Sequence, residues 1–214
     1  MGKLIVFEGI DRSGKTTQMS RLKEYLEATT SLTVWATREP YGEDCRNKIK
    51  TVNLSPQEQL DLILEDRRVH CHCIREKMSE FDIVLCDRFT PSTLAYQGYG
   101  HGIDPNILIK ANEAVTGGLT PDMAIIFDLP IRAAVARLED RPLDAIERNI
   151  LFLERVRWGY LDIAKRYKYH LVNSNQSSEL VFSKVVNQVL RIESLVKDAG
   201  DAIEHSFIPP LENH

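Results

Sequence analysis

The chain has 214 residues, with 27 lysines and arginines against 31 aspartates and glutamates, and a formal net charge of −4 at pH 7. That length suits one α/β domain with a sizeable core, and the acidic balance argues against a general nucleic-acid binder while leaving local basic sites open. No apolar run approaches the roughly 18 residues of a membrane span, and Met1-Gly2-Lys3 leads at once into an apolar stretch, so neither a signal peptide nor a membrane segment is expected and a cytoplasmic protein is.

Leu4-Ile5-Val6-Phe7 is an apolar run suited to a buried parallel strand. It leads into Gly9-Ile10-Asp11-Arg12-Ser13-Gly14-Lys15-Thr16-Thr17, which fits the phosphate-binding pattern G-x-x-x-x-G-K-[ST] without a mismatch. The segment 16–27 is helix-compatible, with Met19, Leu22 and Leu26 on one face. Strand, glycine loop and helix thus occur in the order the chemistry needs. Glycines let the loop turn its N–H groups inward as an anion nest, and the helix start adds its own free N–H groups and dipole. Lys15 is expected to reach the β- and γ-phosphates and the Thr16 hydroxyl to sit on Mg²⁺.

Further strands are expected at 32–36, 83–86, 123–127 and 169–172, with Asp87 and Asp128 following the third and fourth. Helices are expected at 56–80, 104–116, 130–139, 145–166 and 178–197, and Asp104-Pro105 is a clear helix start. Alternating strands and helices imply a parallel sheet with right-handed crossovers and ligands at the carboxyl ends of the strands, where the loop, Arg38, Asp87 and Asp128 fall. The residues 1–197 read as one domain and 198–214 as a polar tail. From Arg191 onward the chain has two basic and five acidic residues.

Three further features bear on chemistry. Asp87, after an apolar strand, resembles a Walker-B acid able to hold Mg²⁺, and its neighbour Arg88 could grip a second phosphate through bidentate hydrogen bonds. Arg67 interrupts the stripe Leu60, Ile63, Leu64, Cys71, Ile74 and Met78. A charge on an inward face needs a partner, either Asp66 or another acid, or an anionic or polar ligand. The opposite stripe of Leu62, Val69 and Cys73 points to a subunit interface. The string His70-Cys71-His72-Cys73 looks like a metal site but lies in a helix, where residues two apart point roughly 160° away from each other. Packed or solvated side chains are expected there, and free thiols at all four cysteines.

Taken together, FEGIDRSGKTTQ, TREP at 37–40, EDRRVH at 65–70, DRF at 87–89, STLAYQG at 92–98 and DAIER at 144–148 resemble the thymidylate kinase family, in order and at family spacing. The resemblance covers about residues 3 to 175. It implies a P-loop nucleoside-monophosphate-kinase fold, a five-stranded parallel sheet flanked by helices on both faces. It also implies a homodimer that uses ATP and Mg²⁺ to phosphorylate dTMP to dTDP. The competing readings are a kinase for another pyrimidine nucleotide or a deoxynucleoside, and a non-catalytic nucleotide-binding protein.

By the same resemblance, loop residues 9–17 hold the ATP phosphates and Asp11 lies near the acceptor sugar and metal. Glu39 and Pro40 lie beside the acceptor phosphate, which Arg88 holds. Arg67 reaches the thymine edge, and Thr93, Tyr96 and Gln97 line the thymine and deoxyribose, with Tyr96 crowding a 2′-hydroxyl. Arg137 and Arg141 fall in a lid at about 137–145, Arg137 covering the adenine, and Asp144 and Glu147 are acids beside it. The family has two branches, with the catalytic arginine either in the phosphate loop or in the lid. This chain has Arg12 in the loop and Ala145 in the lid, so Arg12 is expected to stabilise the transferring phosphoryl group. Ile63 stands where the family usually stacks a phenylalanine on the base, and Ile146 where it often has an aromatic residue.

Overall fold

The computed structural model describes residues 1–137 and 150–192. Five parallel strands form one sheet in the order β2-β3-β1-β4-β5. They are β1 (Lys3–Glu8), β2 (Val34–Arg38), β3 (Ile83–Asp87), β4 (Met123–Asp128) and β5 (His170–Asn173). Helices α1 (Lys15–Thr29), α2 (Glu43–Thr51), α3 (Pro56–Glu80), α5 (Pro105–Thr116), α6 (Ile131–Ala136), α7 (Ile150–Tyr167) and α8 (Ser178–Val189) connect and cover the strands. A short helix α4 (Thr90–Thr93) runs into a π-helical segment, Leu94–Gly100.

The central strand shows why the sheet is buried on both faces. Ile5 and Phe7 pack with Leu22 and Leu26 of α1 and Val185 and Val189 of α8. Leu4 and Val6 point the other way, against Cys71, Ile74 and Met78 of α3. Successive side chains of a strand leave on opposite faces, so an uninterrupted apolar run fills both. Each such side chain contributes roughly 1.5–3 kcal/mol. A further apolar cluster on the α3 side joins α6 and α7 to Ile10, Ala95 and Ile126.

Most expected elements are present, with differences at their ends. The long helix begins at Pro56, where Ser55 and Glu58 form a reciprocal capping box. Asp104 caps α5 by accepting the Asn106 N–H at 2.8 Å. The second strand begins two residues later than expected. Leu32 is buried as a lead-in, and Thr33 is tied through its N–H and hydroxyl to Asp82. Pairing with β3 starts only at Val34 and brings Arg38 opposite Asp87. The helix expected at 178–197 is seen as Ser178–Val189, followed by a turn through 192.

Two elements carried no expectation. Helix α2 buries only Cys45, with Ile49 half-buried one turn on, so its apolar stripe is too short to read among its charged residues. The turn of α4 into the π-helical segment has Pro91 at its start and Gly98 and Gly100 near its end, a composition that reads as a loop. The end of the helix expected at 130–139, the start of the one expected at 145–166 and the remainder of the expected lid after Arg137 lie outside the described residues, as do Ala145, Ile146 and the 198–214 tail.

Candidate active site

The carboxyl ends of β1, β2 and β3 open onto one cavity of about 340 Å³. The phosphate loop forms one wall. Gly9 has φ +142° and an added Cβ would lie 2.6 Å from the Phe127 carbonyl oxygen, so only glycine lets the loop leave β1 so close to β4. Gly14, at φ +89°, starts α1 with no side chain capping its first N–H groups, which leaves them available to an anion. Arg12, at φ +67°, is a rare non-glycine residue in the left-handed region.

Lys15, Asp11 and Asp87 meet beneath this loop. The Lys15 Nζ lies 3.6 Å from Asp11 Oδ1 and 3.9 Å from Asp87 Oδ1. Burial and the nearby Arg88 charge lower the Lys15 pKa, against the pull of both carboxylates. Burial disfavours ionised Asp11, but the Arg88 and Lys15 charges outweigh it and hold its pKa down at about 2. The Thr16 hydroxyl donates to Asp87 Oδ2. Asp87 Oδ1 is buried with no hydrogen-bond partner among the described residues. Ser13 is buried, Ile10 packs in the core beneath the loop, and Thr17 is exposed on α1.

Arg88 crosses the middle of the cavity. It donates to Asp11, to the Gly9 carbonyl at 3.1 Å and to Tyr160 Oη at 3.2 Å, while Tyr96 lies beneath it with ring centroid 5.1 Å from the guanidinium carbon. Thr93, Gln97, Ile63, Glu39 and Pro40 continue the wall away from the phosphate loop.

Arg67 also lines the cavity but is 1% exposed and fully engaged. Its partner is Glu39, not the adjacent Asp66: Nε and Nη2 donate to Glu39 Oε2 at 2.9 and 2.6 Å. The remaining donors go to Thr93 Oγ1 at 2.6 Å, Asn112 Oδ1 at 2.5 Å and the Phe89 carbonyl at 3.1 Å. A guanidinium has five N–H donors, and all are matched. Burial alone would raise the Glu39 pKa, but Arg67 and His70 bring it below the usual value. Asp66 instead accepts the N–H groups of Tyr41 and Gly42 at 2.5 and 2.6 Å.

Arg137 touches the loop from the end of α6, donating to the Arg12 carbonyl at 2.9 Å and the Ser174 carbonyl at 2.7 Å. Arg12 Nη1 donates back to the Arg137 carbonyl at 3.3 Å. Asp144, Glu147 and Arg141 lie outside the described residues. Asp128 is not among the cavity residues. It makes a two-pronged ion pair with Arg157 at 2.6 and 2.9 Å.

His70 is fully buried between Thr37 and Glu39, at 2.8 and 3.1 Å, whereas the His72 side chain is 80% exposed. The two histidines therefore share no ligand. Burial pushes the Cys71 thiol up to about 11, away from the thiolate a metal would need. The four cysteines are free thiols.

Sequence reasoning missed Glu8, Ser92, Asn112 and Tyr160. Glu8 is fully buried, and desolvation raises its pKa to about 7 against the Ser92 hydrogen bond, the Arg88 charge and the hydrogen bonds from Phe89 and Tyr160. A usable signal existed: an acid ends an otherwise apolar buried strand, the same anomaly that singled out Arg67. Because the native pKa lies above the ordinary 4.5, the folded chain binds this proton more tightly than the unfolded one. Its contribution to stability should be largest below about pH 4.5 and should be lost as pH rises through 7, by on the order of 3 kcal/mol. Denaturant unfolding at pH 5 and pH 8 should show this slope in the wild type, and Glu8→Gln should flatten it. An equal slope in the variant would assign it to other groups.

A sequence model described as "Thymidylate kinase" matches residues 7–185. The chain is 36% identical over 208 residues to a thymidylate kinase from Desulforudis audaxviator (strain MP104C), covering 92% of this chain and 93% of that one. It is 38% identical over 199 residues to one from Pelotomaculum thermopropionicum, covering 86% and 91%. The crystal structure of thymidylate kinase from Ehrlichia chaffeensis superposes with a TM-score of 0.74 at 33% identity, over 88% of this chain and 98% of that chain. With its phosphate loop, its five-stranded parallel sheet and relatives matched over nearly their whole length, the chain belongs to the thymidylate kinase family.

Proposed function

We propose that the chain transfers the γ-phosphoryl group of ATP to dTMP, yielding ADP and dTDP. The observation that carries this reading is the convergence of two anion-seeking elements on one cavity. The phosphate loop with Lys15 lies on one side and Arg88 on the other, with Asp11 in contact with both. Phosphoryl transfer asks little covalent chemistry of a protein and depends on charge neutralisation and in-line placement.

In this reading Gly9 through Thr17 cradle the ATP phosphates, and Lys15 with the uncapped N–H groups at the start of α1 neutralises them. Arg88 holds the acceptor phosphate, and Arg12 acts in cis on the transferring group as an arginine finger does. Arg137, already against the loop, is placed to cover the nucleotide base of ATP. Thr93, Tyr96, Gln97 and Ile63 form the acceptor nucleoside wall, backed by Glu39 and Pro40. Arg67 shapes that wall through Thr93, and a direct hydrogen bond to the base would require it to release one of its present acceptors. Asp144 and Glu147, assigned beside the lid by the family resemblance alone, lie outside the described residues.

The donor set at Thr16 and Asp87 fits Mg²⁺, which favours hard oxygen ligands. Asp87 offers a buried oxygen with no hydrogen-bond partner among the described residues. Bound there, Mg²⁺ would neutralise charge on the ATP phosphates. A homodimer agrees with Val69, which stays 55% exposed on the outer stripe of α3. Among the described residues no helix is long and apolar enough to cross a membrane, and free thiols suit a cytoplasmic setting.

ADP release should be measured with MgATP and dTMP, dUMP, UMP, CMP, AMP or thymidine as acceptor. The reading expects the highest kcat/KM with dTMP and little turnover with thymidine, which has no phosphate for Arg88. A higher kcat/KM for another nucleotide would change the substrate, with Ile63 as the first position to examine. Turnover with none of them would leave a nucleotide-binding protein.

A further inference from the structure

Glu8 has no part in the readings above, yet its carboxyl group holds together the segment that presents Arg88. Oε1 accepts the Phe89 N–H at 2.7 Å, and Oε2 accepts the hydroxyls of Ser92 at 2.6 Å and Tyr160 at 3.0 Å. Those hydroxyls are 2.9 Å apart. Both also receive Arg88 Nη1, at 3.3 and 3.2 Å. Glu8, Ser92 and Tyr160 come from β1, α4 and α7, so three elements are joined at one buried carboxyl group behind the guanidinium.

Arg88 needs such a support. Its φ is +74°, in the left-handed region that a long side chain rarely adopts. A strained residue persists only when its surroundings over-determine it. The Arg88 N–H is fixed by the Phe7 carbonyl at 2.9 Å, and the next N–H, that of Phe89, by Glu8. The two amides flanking the strained residue are thus held by adjacent residues of β1. This turn aims the Arg88 side chain back across the end of the sheet toward Asp11 and the Gly9 carbonyl.

We propose that Glu8 is a positioning residue for the acceptor-phosphate clamp: through the Phe89 N–H and the Ser92 and Tyr160 hydroxyls it fixes both the backbone turn and the guanidinium of Arg88. The proposal rests on the reading of Arg88 as that clamp. Hydroxyls that donate to Glu8 keep their lone pairs for Arg88, because a hydroxyl has one proton to give and two acceptor sites. A glutamine at the same place could still accept the Phe89 N–H. Its amide N–H groups, however, would donate to Ser92 and Tyr160 and compete for the oxygens that Arg88 uses.

The test is a double-mutant cycle on steady-state kinetics with MgATP and dTMP at pH 8, above the Glu8 pKa of about 7, where its carboxylate accepts from all three donors. Glu8→Gln should raise the KM for dTMP by about tenfold, the loss of one charge-assisted hydrogen bond at about 1.4 kcal/mol, with the KM for ATP within twofold of wild type. Arg88→Ala should raise the dTMP KM more, and Glu8→Gln placed on Arg88→Ala should add nothing further, since Glu8 acts through Arg88. Tyr160→Phe, which keeps the ring and removes one shared oxygen, should also raise the KM for dTMP selectively.

An effect of Glu8→Gln that persists undiminished in the Arg88→Ala background would overturn the proposal while leaving the clamp intact. Equal losses for ATP and dTMP, or a wild-type KM for dTMP in Glu8→Gln, would overturn it as well. If Glu8→Gln does not fold, a wild-type dTMP KM in Tyr160→Phe overturns it. If Arg88→Ala itself leaves the dTMP KM unchanged, the clamp reading fails and the proposal with it.

Discussion

Replacing Lys15 by alanine is expected to reduce kcat by at least about 10²–10³-fold, the range seen when one preorganised donor to developing charge is removed. The fold should survive. Lys15 is 5% exposed, and both its burial and Arg88 act against its charged form. The folded apoprotein therefore gains little from holding this ammonium, and the change in unfolding free energy should stay within about 1 kcal/mol. Asp87 keeps the Thr16 hydroxyl and Asp11 keeps Arg88 when the ammonium is gone. Turnover with MgATP and dTMP and a denaturant midpoint on the same preparation separate the two quantities. Near-normal turnover would remove the phosphate loop from the reaction, while a collapsed midpoint would make Lys15 a structural ion-pair residue.

Arg67→Ala should behave in the opposite way. Unfolding free energy should fall by roughly 3–5 kcal/mol, because a buried carboxylate is left without its countercharge. Glu39 is 7% exposed, and its remaining hydrogen-bond partner is His70 at 3.1 Å. Thr93, Asn112 and the Phe89 carbonyl lose their donors in the same step. Adding Glu39→Gln should recover part of the loss by removing the stranded charge. The KM for dTMP should rise in the folded fraction, since Thr93 loses the bond that orients it. Unchanged stability with a selective loss of dTMP binding would instead make Arg67 a direct reader of the base.

The contrast between these two buried cations explains how far a sequence can be read. Lys15 was legible because its role is local. The strand before it, the glycines that permit the turn and the helix after it are contiguous, so periodicity and residue type describe the whole unit. The same holds for the long helix from Pro56, whose cap and apolar stripe lie within it. Arg67 was legible only as an anomaly. Its position on an apolar stripe required a partner, but nothing along the chain distinguished Asp66, one residue away, from Glu39, 28 residues away. Helix geometry points adjacent residues in different directions, and only packing could decide which acid the guanidinium meets.

The elements that escaped notice share a physical reason. Helix α2 is held mainly at its edges, by one buried cysteine and by Arg46 donating to the Pro40 carbonyl at 2.7 Å. Its apolar stripe is only Cys45 and Ile49, too short to stand out among its charged residues. Tyr160 sits on an ordinary amphipathic helix, and its hydroxyl acquires a role only where α7 crosses behind Arg88. By itself the sequence determined the parallel sheet and the phosphate loop, because short-range backbone geometry and apolar periodicity act within contiguous segments, while the family was legible as a resemblance carried by motifs in order along the chain. Tertiary structure alone decided which acid pairs with Arg67, how Glu8 reaches Phe89, Ser92 and Tyr160, and that Arg88 is held in a left-handed turn. Those outcomes depend on side chains brought together from distant segments, where burial removes water and each polar group must find its partner within the protein.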